Sequence, residues 1–337
     1  MADVETPVSG GQYFASPPPN IKFISSGCEL LDCVLGGGWA IGRIANVVGD
    51  RSTGKTLLAI EAAANFASAF LNGHIFYREA EAAFDLDYAE ALGMPIDRIS
   101  FNKPDEFVTV EDFYNDLSQC LEQIGTDGIG LYILDSLDAL SDKAEIGRGI
   151  EEGTFGASKA KQLSQVFRRI TQKVKKSNVC VIIVSQVRDN IGVAFGEKHT
   201  RSGGRALDFY ASQILWLARI KNLTKTRKSI TRTTGIIVRA KCKKNKVGIP
   251  YRECDFPITF GYGVDDFTAN LDWLKSIKRL EDIGLDEKGV KALLNSAGTM
   301  SPEEYTLKSD EIATEVRDIW SEIETSFLPT RKKYGQS

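Results

Sequence analysis

The octet at residues 49–56, G-D-R-S-T-G-K-T, restricts the possible folds of this chain more than any other feature. An apolar run over residues 43–48 precedes it, and a helix-compatible stretch over residues 57–70 follows it. Glycines in the octet let the backbone wrap closely, so that successive N–H groups and the positive end of a helix dipole point at phosphate oxygens. The sequence therefore predicts a strand, a phosphate-binding loop and a helix that together bind ATP or GTP.

Two side chains of the octet have specific expected roles. Lys55 is predicted to reach the β and γ phosphates, and the hydroxyl of Thr56 is predicted to be a ligand of Mg²⁺. The residues predicted to bind the nucleotide here are Gly49, Asp50, Arg51, Ser52, Thr53, Gly54, Lys55 and Thr56.

Length and composition narrow the class of protein. With 337 residues, the chain can form one large core and a small second domain. No apolar stretch reaches the roughly 18 residues of a membrane helix, and the N-terminus has no signal-peptide pattern. The 6 cysteines form no C-x-x-C pair and only 2 histidines are present, which predicts reduced thiols and no zinc site. We expect a cytoplasmic protein with no membrane partner.

The order of β-rich runs and helical segments predicts the fold class. The predicted strands cover residues 43–48, 74–77, 130–134, 179–185, 212–220, 234–242 and 255–260. The predicted helices among them cover residues 57–70, 110–124 and 159–175. Because the first four strands alternate with helices and the last three are joined only by loops, we expect an α/β protein. Its mostly parallel central sheet would be extended by antiparallel strands.

Three regions differ in composition and periodicity. Residues 1–22 are rich in Gly, Ser and Pro, which predicts a flexible N-terminal arm. Residues 23–268 hold the predicted strands and form the expected ATPase core. Residues 269–337 return to a helical period and end in a basic tail, which predicts a small helical C-terminal domain. The helical periods of that region cover residues 271–283, 286–296 and 309–327.

Basic residues are concentrated in one part of the chain. The net charge of -3 argues against a protein that coats nucleic acid by bulk attraction, so a DNA contact must come from a local patch. Between Asp208 and Glu253 the sequence has many lysines and arginines and no acidic residue. Residues 221–232, inside this region, are either a flexible hairpin or an accessory DNA contact, and both interpretations stay open.

A second motif stands at the end of the third predicted strand. Residues 131–134 are apolar and lead directly into Asp135. A strand buried on both faces that ends in an aspartate is where folds with a phosphate-binding loop hold Mg²⁺, usually through water. Asp135 is therefore predicted to join Thr56 at the metal.

Hydrolysis also needs a group that orients the attacking water or accepts its proton. The second predicted strand leads into Glu79 and Glu81, and this i, i+2 spacing places both carboxylates on one side of an extended chain. One of the two is expected to be the base. Gln186, at the end of the fourth predicted strand, is a candidate switch, because its amide can sense the γ phosphate by a hydrogen bond that is lost after hydrolysis.

The residues that follow Gln186 predict a loop that becomes ordered on binding a ligand. Residues 187–204 contain glycines for mobility, cations for phosphates and an aromatic side chain, Phe195, that can wedge between bases.

Several strings of this sequence resemble those of the bacterial RecA recombinases. They are S-Q-V-R-D-N-I-G-V-A-F-G from residue 185, S-G-G-R-A-L-D-F-Y-A-S from residue 202 and V-R-A-K-C-K-K-N-K from residue 238. The similarity covers about residues 24–267, and D-S-L-D-A-L-S-D-K-A-E-I from residue 135 and F-G-Y-G from residue 260 belong to it. Phage-encoded relatives of the family fit equally well. The resemblance implies a RecA-like ATPase core that uses ATP and Mg²⁺.

The resemblance assigns further nucleotide-site residues where the letters match. Glu81, in A-E-A-A-F-D, stands where the family keeps its catalytic carboxylate, so the resemblance favours it over Glu79. Tyr88, three residues after Asp85, resembles the aromatic residue that stacks on adenine. Asp85 and Gly261 complete the predicted cofactor-binding set.

The resemblance also implies contacts with DNA. Gln186 resembles the residue that couples the γ phosphate to the mobile DNA loop, and Phe195 resembles the intercalating aromatic residue of that loop. Phe155 stands where the family has an apolar residue that separates base triplets. The residues predicted to bind DNA are Phe155, Arg188, Phe195, Lys198, Arg201, Gly203 and Gly204.

Three residues are expected to act between subunits. Lys244 and Lys246 match paired lysines that, in this family, reach into the neighbour's ATP site, where cations supplied in trans neutralise charge on the γ phosphoryl group. Phe209 resembles the interface residue that transmits the ATP state between protomers. Asp208 stands where the family commonly has a basic residue, which predicts that one trans contact is lost or inverted. The predicted catalytic residues are Glu81, Lys55, Gln186, Lys244 and Lys246.

The activity that the resemblance implies is DNA-dependent ATP hydrolysis coupled to recombination and DNA repair. Such a protein forms a helical filament on single-stranded DNA, pairs that strand with homologous double-stranded DNA and exchanges strands. Two alternatives stay open. A hexameric helicase of the same fold shares the phosphate loop and the trans cations but forms closed rings. A regulatory ATPase acts on protein partners and has no use for the loop around Phe195.

Overall fold

The structure is a computed structural model of the chain. It describes residues 20–103, 107–143, 156–189, 199–201 and 204–329. Predictions for the arm up to residue 19, and for the tail from residue 330, lie outside the described residues.

The helices and strands alternate through the first half of the chain and cluster by type in the second. The first half contains β1 (Phe23–Ile24), α1 (Glu29–Leu35), β2 (Trp39–Ala40), β3 (Ile44–Gly49), α2 (Lys55–Ala69), β4 (His74–Glu79), α3 (Leu86–Ala91), a 3-10 turn (Ile96–Arg98), β5 (Ile99–Phe101), α4 (Val110–Ile124) and β6 (Gly130–Asp135). The second half contains α5 (Gly156–Lys176), β7 (Val179–Asp189), β8 (His199–Arg201), α6 (Gly204–Tyr210), β9 (Gln213–Arg227), β10 (Ile230–Asn245), β11 (Glu253–Thr259), β12 (Gly263–Val264), α7 (Asp266–Ser276), a 3-10 turn (Leu280–Ile283), α8 (Glu287–Ala297) and α9 (Pro302–Ser326).

One large sheet organises these elements. Its strands follow the order β12-β11-β10-β9-β3-β7-β6-β4-β5, and β8 pairs with β7. The strands from β9 to β5 are mutually parallel, whereas β10, β11 and β12 are antiparallel additions at one end. β1 and β2 form a separate small sheet.

Helices cover both faces of the parallel part of this sheet. Every residue of β3 and β6 is buried, as expected for central strands of a parallel sheet. One hydrophobic core contains side chains of α1, α2, α7 and α9, and a second contains those of α4, α5 and α6. The loops at the strand ends are thereby held on a packed support.

Local capping signals explain where two of the helices begin. The hydroxyl of Thr109 accepts the N–H of Asp112 at 3.1 Å, and the Asp112 carboxylate accepts the N–H of Thr109 at 2.9 Å. The same reciprocal arrangement joins Ser301 and Glu304 at the start of α9. The helix predicted over residues 110–124 is confirmed as α4, and the helix predicted from 309 begins earlier because Ser301 caps it.

The α/β class is confirmed, but some predicted element boundaries were wrong. β9 reaches Arg227 and β10 starts at Ile230, well beyond the predicted ends at residues 220 and 234. β9 is not part of the antiparallel extension, because it pairs with β3 in parallel and the direction first reverses at β10. The helix predicted over 271–283 is α7 followed by a 3-10 turn, since Asp265 caps α7. Among the described helices, none combines the length and apolarity needed to cross a bilayer.

The division of the chain at residue 268 stays a prediction. Helix α7 crosses that position, and its side chains Leu271 and Leu274 belong to the same core as α1 and α2. Beyond it, Arg252 donates to both carboxylate oxygens of buried Glu324 in α9, at 2.7 and 2.6 Å. The C-terminal helices are therefore packed against the sheet through apolar and ionic contacts.

Candidate functional site

The candidate catalytic side chains lie where the parallel strands end. Gly49 of β3 is paired with Gln186 of β7, and Glu79 of β4 is paired with Asp135 of β6. Because these four strands are adjacent and parallel, their carboxyl ends meet at one side of the sheet, here called the carboxyl edge. Open α/β sheets bind their ligands at this edge. The fold thus brings together the predicted phosphate, metal and hydrolysis residues.

The loop after β3 has the geometry of an anion cradle. Ser52 and Gly54 have positive φ angles, 56° and 88°, which turn the chain sharply before α2 begins at Lys55. A Cβ on Gly54 would lie 2.4 Å from Ile258 Cδ1, and the positive φ of Gly54 is one that residues with a side chain rarely adopt. Within the described part of the chain, the N–H groups from Ser52 to Thr56 have no hydrogen-bond acceptor. Such donors at a helix N-terminus fit a polyphosphate.

Lys55 folds back over this loop. Its Nζ donates to the carbonyl oxygen of Asp50 at 2.8 Å. Burial lowers the pKa of the Lys55 ammonium group, while the nearby carboxylates of Asp135 and Glu81 act in the opposite direction. A partly desolvated cation whose hydrogen-bond partner is a loop carbonyl can exchange that carbonyl for phosphate oxygens.

Asp135 lies next to the loop and is only 6% exposed. The phenol of Tyr77 donates to its Oδ2 at 2.8 Å. Burial raises the pKa of Asp135, and hydrogen bonds from Thr56 and Tyr77 act against this rise. The sequence did not predict this contact of Tyr77 with Asp135. Its only signal was that Tyr77 stands two residues before Glu79, which places both side chains on one side of β4.

The oxygen ligands at this position fit Mg²⁺. The Thr56 hydroxyl and the Asp135 carboxylate are hard donors, and Mg²⁺ is usually held by one or two protein groups together with waters and phosphate oxygens. In the described ranges, no group of three or more His, Cys, Asp or Glu side chains could hold a metal by itself. The arrangement suits a metal held jointly by the protein and a nucleotide.

Glu81 and Gln186 are joined directly. The Gln186 Nε2 group donates to Glu81 Oε1 at 2.9 Å, and the Ser136 hydroxyl donates to the same oxygen. The backbone N–H of Gln186 donates to Asp138 Oδ2 at 2.6 Å. These contacts tie the end of β7 to the end of β6. Sequence reasoning missed Ser136 and Asp138, for which the only signal was their place in D-S-L-D directly after the strand.

Glu79 makes a different set of contacts. Its carboxylate accepts the backbone N–H groups of Glu81 at 2.8 Å, Ala82 at 2.9 Å and Ala83 at 3.2 Å. Glu79 therefore holds the turn that follows β4. Glu81 instead accepts hydrogen bonds from the side chains of Ser136 and Gln186, at the ends of β6 and β7. The two carboxylates that the sequence placed on one side of the chain are thus distinct in geometry.

The residues predicted to contact adenine lie on neighbouring segments. Asp85 caps α3, and its Oδ1 accepts the N–H of Tyr88 at 3.0 Å. The Tyr88 side chain is 43% exposed, so it is accessible to a planar ligand. Gly261 lies in the turn between β11 and β12 with φ of 78°. β12, which follows this turn, is close to the end of α3, because a Cβ on Gly263 would lie 3.7 Å from Leu92.

Lys244, Lys246 and Phe209 lie at the opposite side of the sheet, here called the amino edge. Lys244 is paired with Ile214, which is paired with Asn46 near the start of β3. The Nζ groups of both lysines donate to the carbonyl oxygen of Phe209, at 3.0 Å from Lys244 and 3.4 Å from Lys246. The Phe209 side chain is 73% exposed.

This placement separates the two lysines from the phosphate loop of their own chain. Asn46 and Gly49 are three residues apart along β3, a distance of about 10 Å, and Lys246 lies further still from the carboxyl edge.

The predicted DNA contacts fall mostly outside the described residues. Those outside are Phe155, Phe195, Lys198 and Gly203. Arg188 lies in β7 and Arg201 in β8, strands that pair antiparallel directly after Gln186, and Gly204 begins α6. The backbone that carries the predicted DNA residues is therefore continuous with the strand that holds the Gln186–Glu81 contact.

Comparison with known proteins gives consistent matches to one family. A sequence model described as RecA N-terminal domain matches residues 14–265. Protein RecA of Streptomyces venezuelae is 36% identical over 249 residues, which is 72% of this chain and 61% of that protein. Protein RecA of Nostoc punctiforme is 37% identical over 253 residues, 75% of this chain and 67% of that protein. The match to Protein RecA of Streptomyces avermitilis, 36% identical, covers 74% of this chain and 63% of the relative.

The chain thus spans about three fifths of the length of the Streptomyces relatives that it matches. The matched region includes the octet, the carboxyl-edge side chains and both lysines of the amino edge. On this basis, the chain belongs to the RecA family.

Proposed function

We propose that this protein is an ATP-dependent DNA recombinase that acts in the cytoplasm. It forms a helical filament on single-stranded DNA, pairs that strand with a homologous duplex and exchanges strands, with DNA-dependent hydrolysis of ATP. The observation that carries the proposal is the hydrogen bond from Gln186 to Glu81 at 2.9 Å. It links the predicted hydrolytic carboxylate to the strand that leads into the predicted DNA loop.

The phosphate loop binds the triphosphate through its N–H groups and Lys55. The Lys55 Nζ exchanges the Asp50 carbonyl for oxygens of the β and γ phosphates. Thr56 and Asp135 hold Mg²⁺, which when bound neutralises charge on those oxygens. Tyr77 keeps the Asp135 carboxylate oriented through its phenol.

Glu81 orients the attacking water and accepts its proton at the carboxylate. Ser136 and Gln186 donate to the same oxygen of Glu81, Oε1, so the second oxygen faces no donor from either of them. Glu79 supports this arrangement by holding the turn on which Glu81 lies. The division of roles favours Glu81 as the base and Glu79 as a positioning residue.

Gln186 couples the nucleotide to DNA. Its amide can donate to Glu81 or to an oxygen of the γ phosphate. The end of β7 takes a different position with each of these two acceptors. Because the chain runs directly from the end of β7 at Asp189 into the predicted DNA loop, the bound triphosphate changes the arrangement of that loop. Hydrolysis removes one acceptor and releases the loop.

Lys244 and Lys246 complete the site of a neighbouring chain. They lie at the amino edge, whereas the phosphate loop lies at the carboxyl edge, an arrangement that suits head-to-tail stacking of the subunit that supplies the lysines on the subunit that holds the nucleotide. Head-to-tail contacts build open helical filaments or closed rings. Phe209, exposed beside the lysines, lies within the same contact.

The experiment measures the affinity for a single-stranded oligonucleotide with and without a non-hydrolysable triphosphate analogue. The analogue should strengthen binding by the wild type at least about tenfold, and Gln186→Ala should lose this gain while still binding the analogue. Gln172→Ala, a change on the exposed side of α5, is the matched control. Equal affinities with and without the analogue would remove the recombinase assignment. Negative-stain images then separate a filament from the ring of a helicase and from a regulatory ATPase, which forms neither.

A further inference from the structure

Glu61 is a carboxylate in an otherwise apolar part of α2, and neither the phosphate loop nor the hydrolysis site uses it. Its neighbours Ile60, Ala62 and Ala63 are buried, and Glu61 itself is half-buried. Burial raises the pKa of Glu61 to about 7, although a backbone hydrogen bond acts against the rise. Because an apolar side chain would be less costly at a position that only packs, the carboxylate needs another explanation.

The Glu61 carboxylate is bonded to the strand that follows the turn at Gly261. Its Oε1 accepts the backbone N–H of Val264 at 2.8 Å. Val264 belongs to β12, a strand of two residues at the edge of the sheet, where β11 holds it along one side. The hydrogen bond therefore attaches this short edge strand to α2.

Two glycines make room for the carboxylate. A Cβ on Gly263 would lie 2.5 Å from Glu61 Oε1, and a Cβ on Gly27 would lie 2.8 Å from Oε2. Both glycines also have positive φ angles, 106° and 84°, which residues with a side chain rarely adopt. Each oxygen of Glu61 thus lies against the backbone of a different segment, which fixes the orientation of the carboxylate.

The turn next to this contact carries a predicted base contact, Gly261. The side chains on either side of it, Phe260 and Tyr262, are 57% and 55% exposed, so the tip of the turn has little packing of its own. The hydroxyl of Tyr262 is hydrogen-bonded to that of Tyr305 in α9 at 3.1 Å. A neutral, exposed hydrogen bond contributes less than one to a carboxylate, so Glu61 is the stronger support.

Tyr88, the residue predicted to stack on adenine, lies near the same carboxylate. Burial and the charge of Glu61 both raise the pKa of the Tyr88 phenol, so the phenol is within electrostatic reach of Glu61. Leu92, directly after α3, would lie 3.7 Å from a Cβ on Gly263. The two segments that carry the predicted base contacts therefore approach each other beside Glu61.

Helix α2 relates this region to the phosphate loop. Lys55 is the first residue of α2, and Glu61 stands six residues later, about 9 Å along the helix axis. The same helix thus begins at the phosphate loop and, through Glu61, holds the strand that follows the base turn. A shift of that turn would alter contacts with the base and leave the phosphate loop in place.

We propose that Glu61 is a positioning residue for the nucleotide base, whose carboxylate holds the β11–β12 turn so that Gly261 and Tyr88 enclose the base. The inference deepens the proposed function, on which it rests. It divides the affinity for ATP into a phosphate part, supplied by the octet, and a base part that depends on Glu61. A hydrogen bond to a charged group can change an equilibrium by about tenfold.

The test compares ATP with inorganic tripolyphosphate, which has the phosphates and no base, by calorimetry with Mg²⁺ and without DNA. Glu61→Leu removes the acceptor and keeps a good helix former. Gly263→Ala disturbs the contact from its other side, because the added Cβ must displace Glu61 Oε1. Glu61→Gln keeps an acceptor oxygen for Val264. The control, Glu122→Leu, makes the same change at an exposed position of α4, on the opposite face of the sheet.

Glu61→Leu and Gly263→Ala should each bind ATP about tenfold more weakly and bind tripolyphosphate within about twofold of the wild type. Glu61→Gln should recover most of the affinity for ATP, and Glu122→Leu should match the wild type with both ligands. If Glu61→Leu does not fold, Gly263→Ala decides the question, because it leaves α2 unchanged.

Wild-type affinity for ATP in both variants of the contact would overturn the inference, because the base would then not depend on Glu61. Equal losses for ATP and tripolyphosphate would also overturn it, because the role of Glu61 would then be general support of the fold. A wild type that binds neither ligand would instead refute the proposed function, and the inference with it.

Discussion

The contacts of Glu79 and Glu81 allow their roles to be separated by one matched pair of substitutions. We consider Glu81→Gln and Glu79→Gln, each of which replaces a carboxylate by an amide of nearly the same size. Glu81 accepts two hydrogen bonds, both at Oε1, and an amide oxygen can keep both. Glu79 accepts two N–H groups at Oε1 and one at Oε2. The NH₂ group of a glutamine at this position must therefore face a backbone N–H, which is also a donor.

The expected magnitudes follow from these contacts. Glu81→Gln keeps its hydrogen bonds at an exposed position, so the free energy of unfolding should change by less than about 0.5 kcal/mol. Glu79→Gln loses one charge-assisted hydrogen bond, which should reduce the free energy of unfolding by about 1.5 to 3 kcal/mol. Catalysis should show the reverse order. Loss of a general base at Glu81 should lower kcat by about 10² to 10⁴, and Glu79→Gln should lower it by less than about tenfold.

The assay is single-strand-stimulated ATP hydrolysis at saturating DNA, with kcat and KM for ATP measured separately, beside a thermal melt of each variant. For Glu81→Gln we expect a lower kcat, an unchanged KM, an unchanged Tm and intact filaments, because nucleotide binding does not use this carboxylate. A Glu81→Gln enzyme with nearly wild-type kcat, together with an inactive Glu79→Gln enzyme, would refute the reasoning and move the base to Glu79.

Three further predictions concern other parts of the molecule. The Lys55→Ala and Lys244→Ala variants should each be inactive alone. An equal mixture should recover about a quarter of the wild-type hydrolysis rate, because random stacking gives about a quarter of the sites both an intact Lys55 and a neighbour's intact Lys244. No recovery would show that Lys244 acts in its own chain. Burial raises the pKa of Glu61 from 4.5 to about 7, so its protonated form stabilises the fold below pH 4.5 and this contribution is lost as the pH rises to 7. Glu61→Gln should flatten that part of the Tm profile, and an unaltered profile would contradict the assignment. Arg252→Ala should destabilise the chain by about 3 kcal/mol in chemical unfolding, since it leaves buried Glu324 unpaired, and Glu324→Leu in the same chain should restore most of the loss.

Sequence reasoning predicted the parts of the fold in which local and tertiary signals agree. β3 and β6 are continuously apolar because both faces are buried, and α4 is bounded by a capping box that is legible in the sequence. The octet predicted the anion cradle because its glycines allow the tight loop that surrounds a phosphate. The residues predicted for the site in these elements therefore lie together at the carboxyl edge, and their roles stay predictions.

The features of the fold and the site that the sequence did not predict depend on pairing between distant segments. The β9–β10 hairpin was predicted too short, because its outer residues lack the apolar alternation of a half-buried strand and its extent is set by cross-strand pairs. The contacts of Tyr77, Ser136 and Asp138 arise only when β4, β6 and β7 end at the same edge. No spacing along the chain could show that the hydroxyl of Ser136 and the amide of Gln186 share one carboxylate oxygen.

The opposite placement of the phosphate loop and the paired lysines limits how copies of this chain can assemble. A twofold dimer buries the same surface on both partners, so it could join the amino edge to the carboxyl edge only through a surface that spans the sheet from one edge to the other. Head-to-tail stacking needs no such surface, and under the proposed trans role each open stack leaves one site without its lysines. If Lys244 and Lys246 act in trans as proposed, hydrolysis per chain must rise with stack length and approach a limit. DNA that nucleates long stacks would then activate the ATPase through assembly as well as through Gln186.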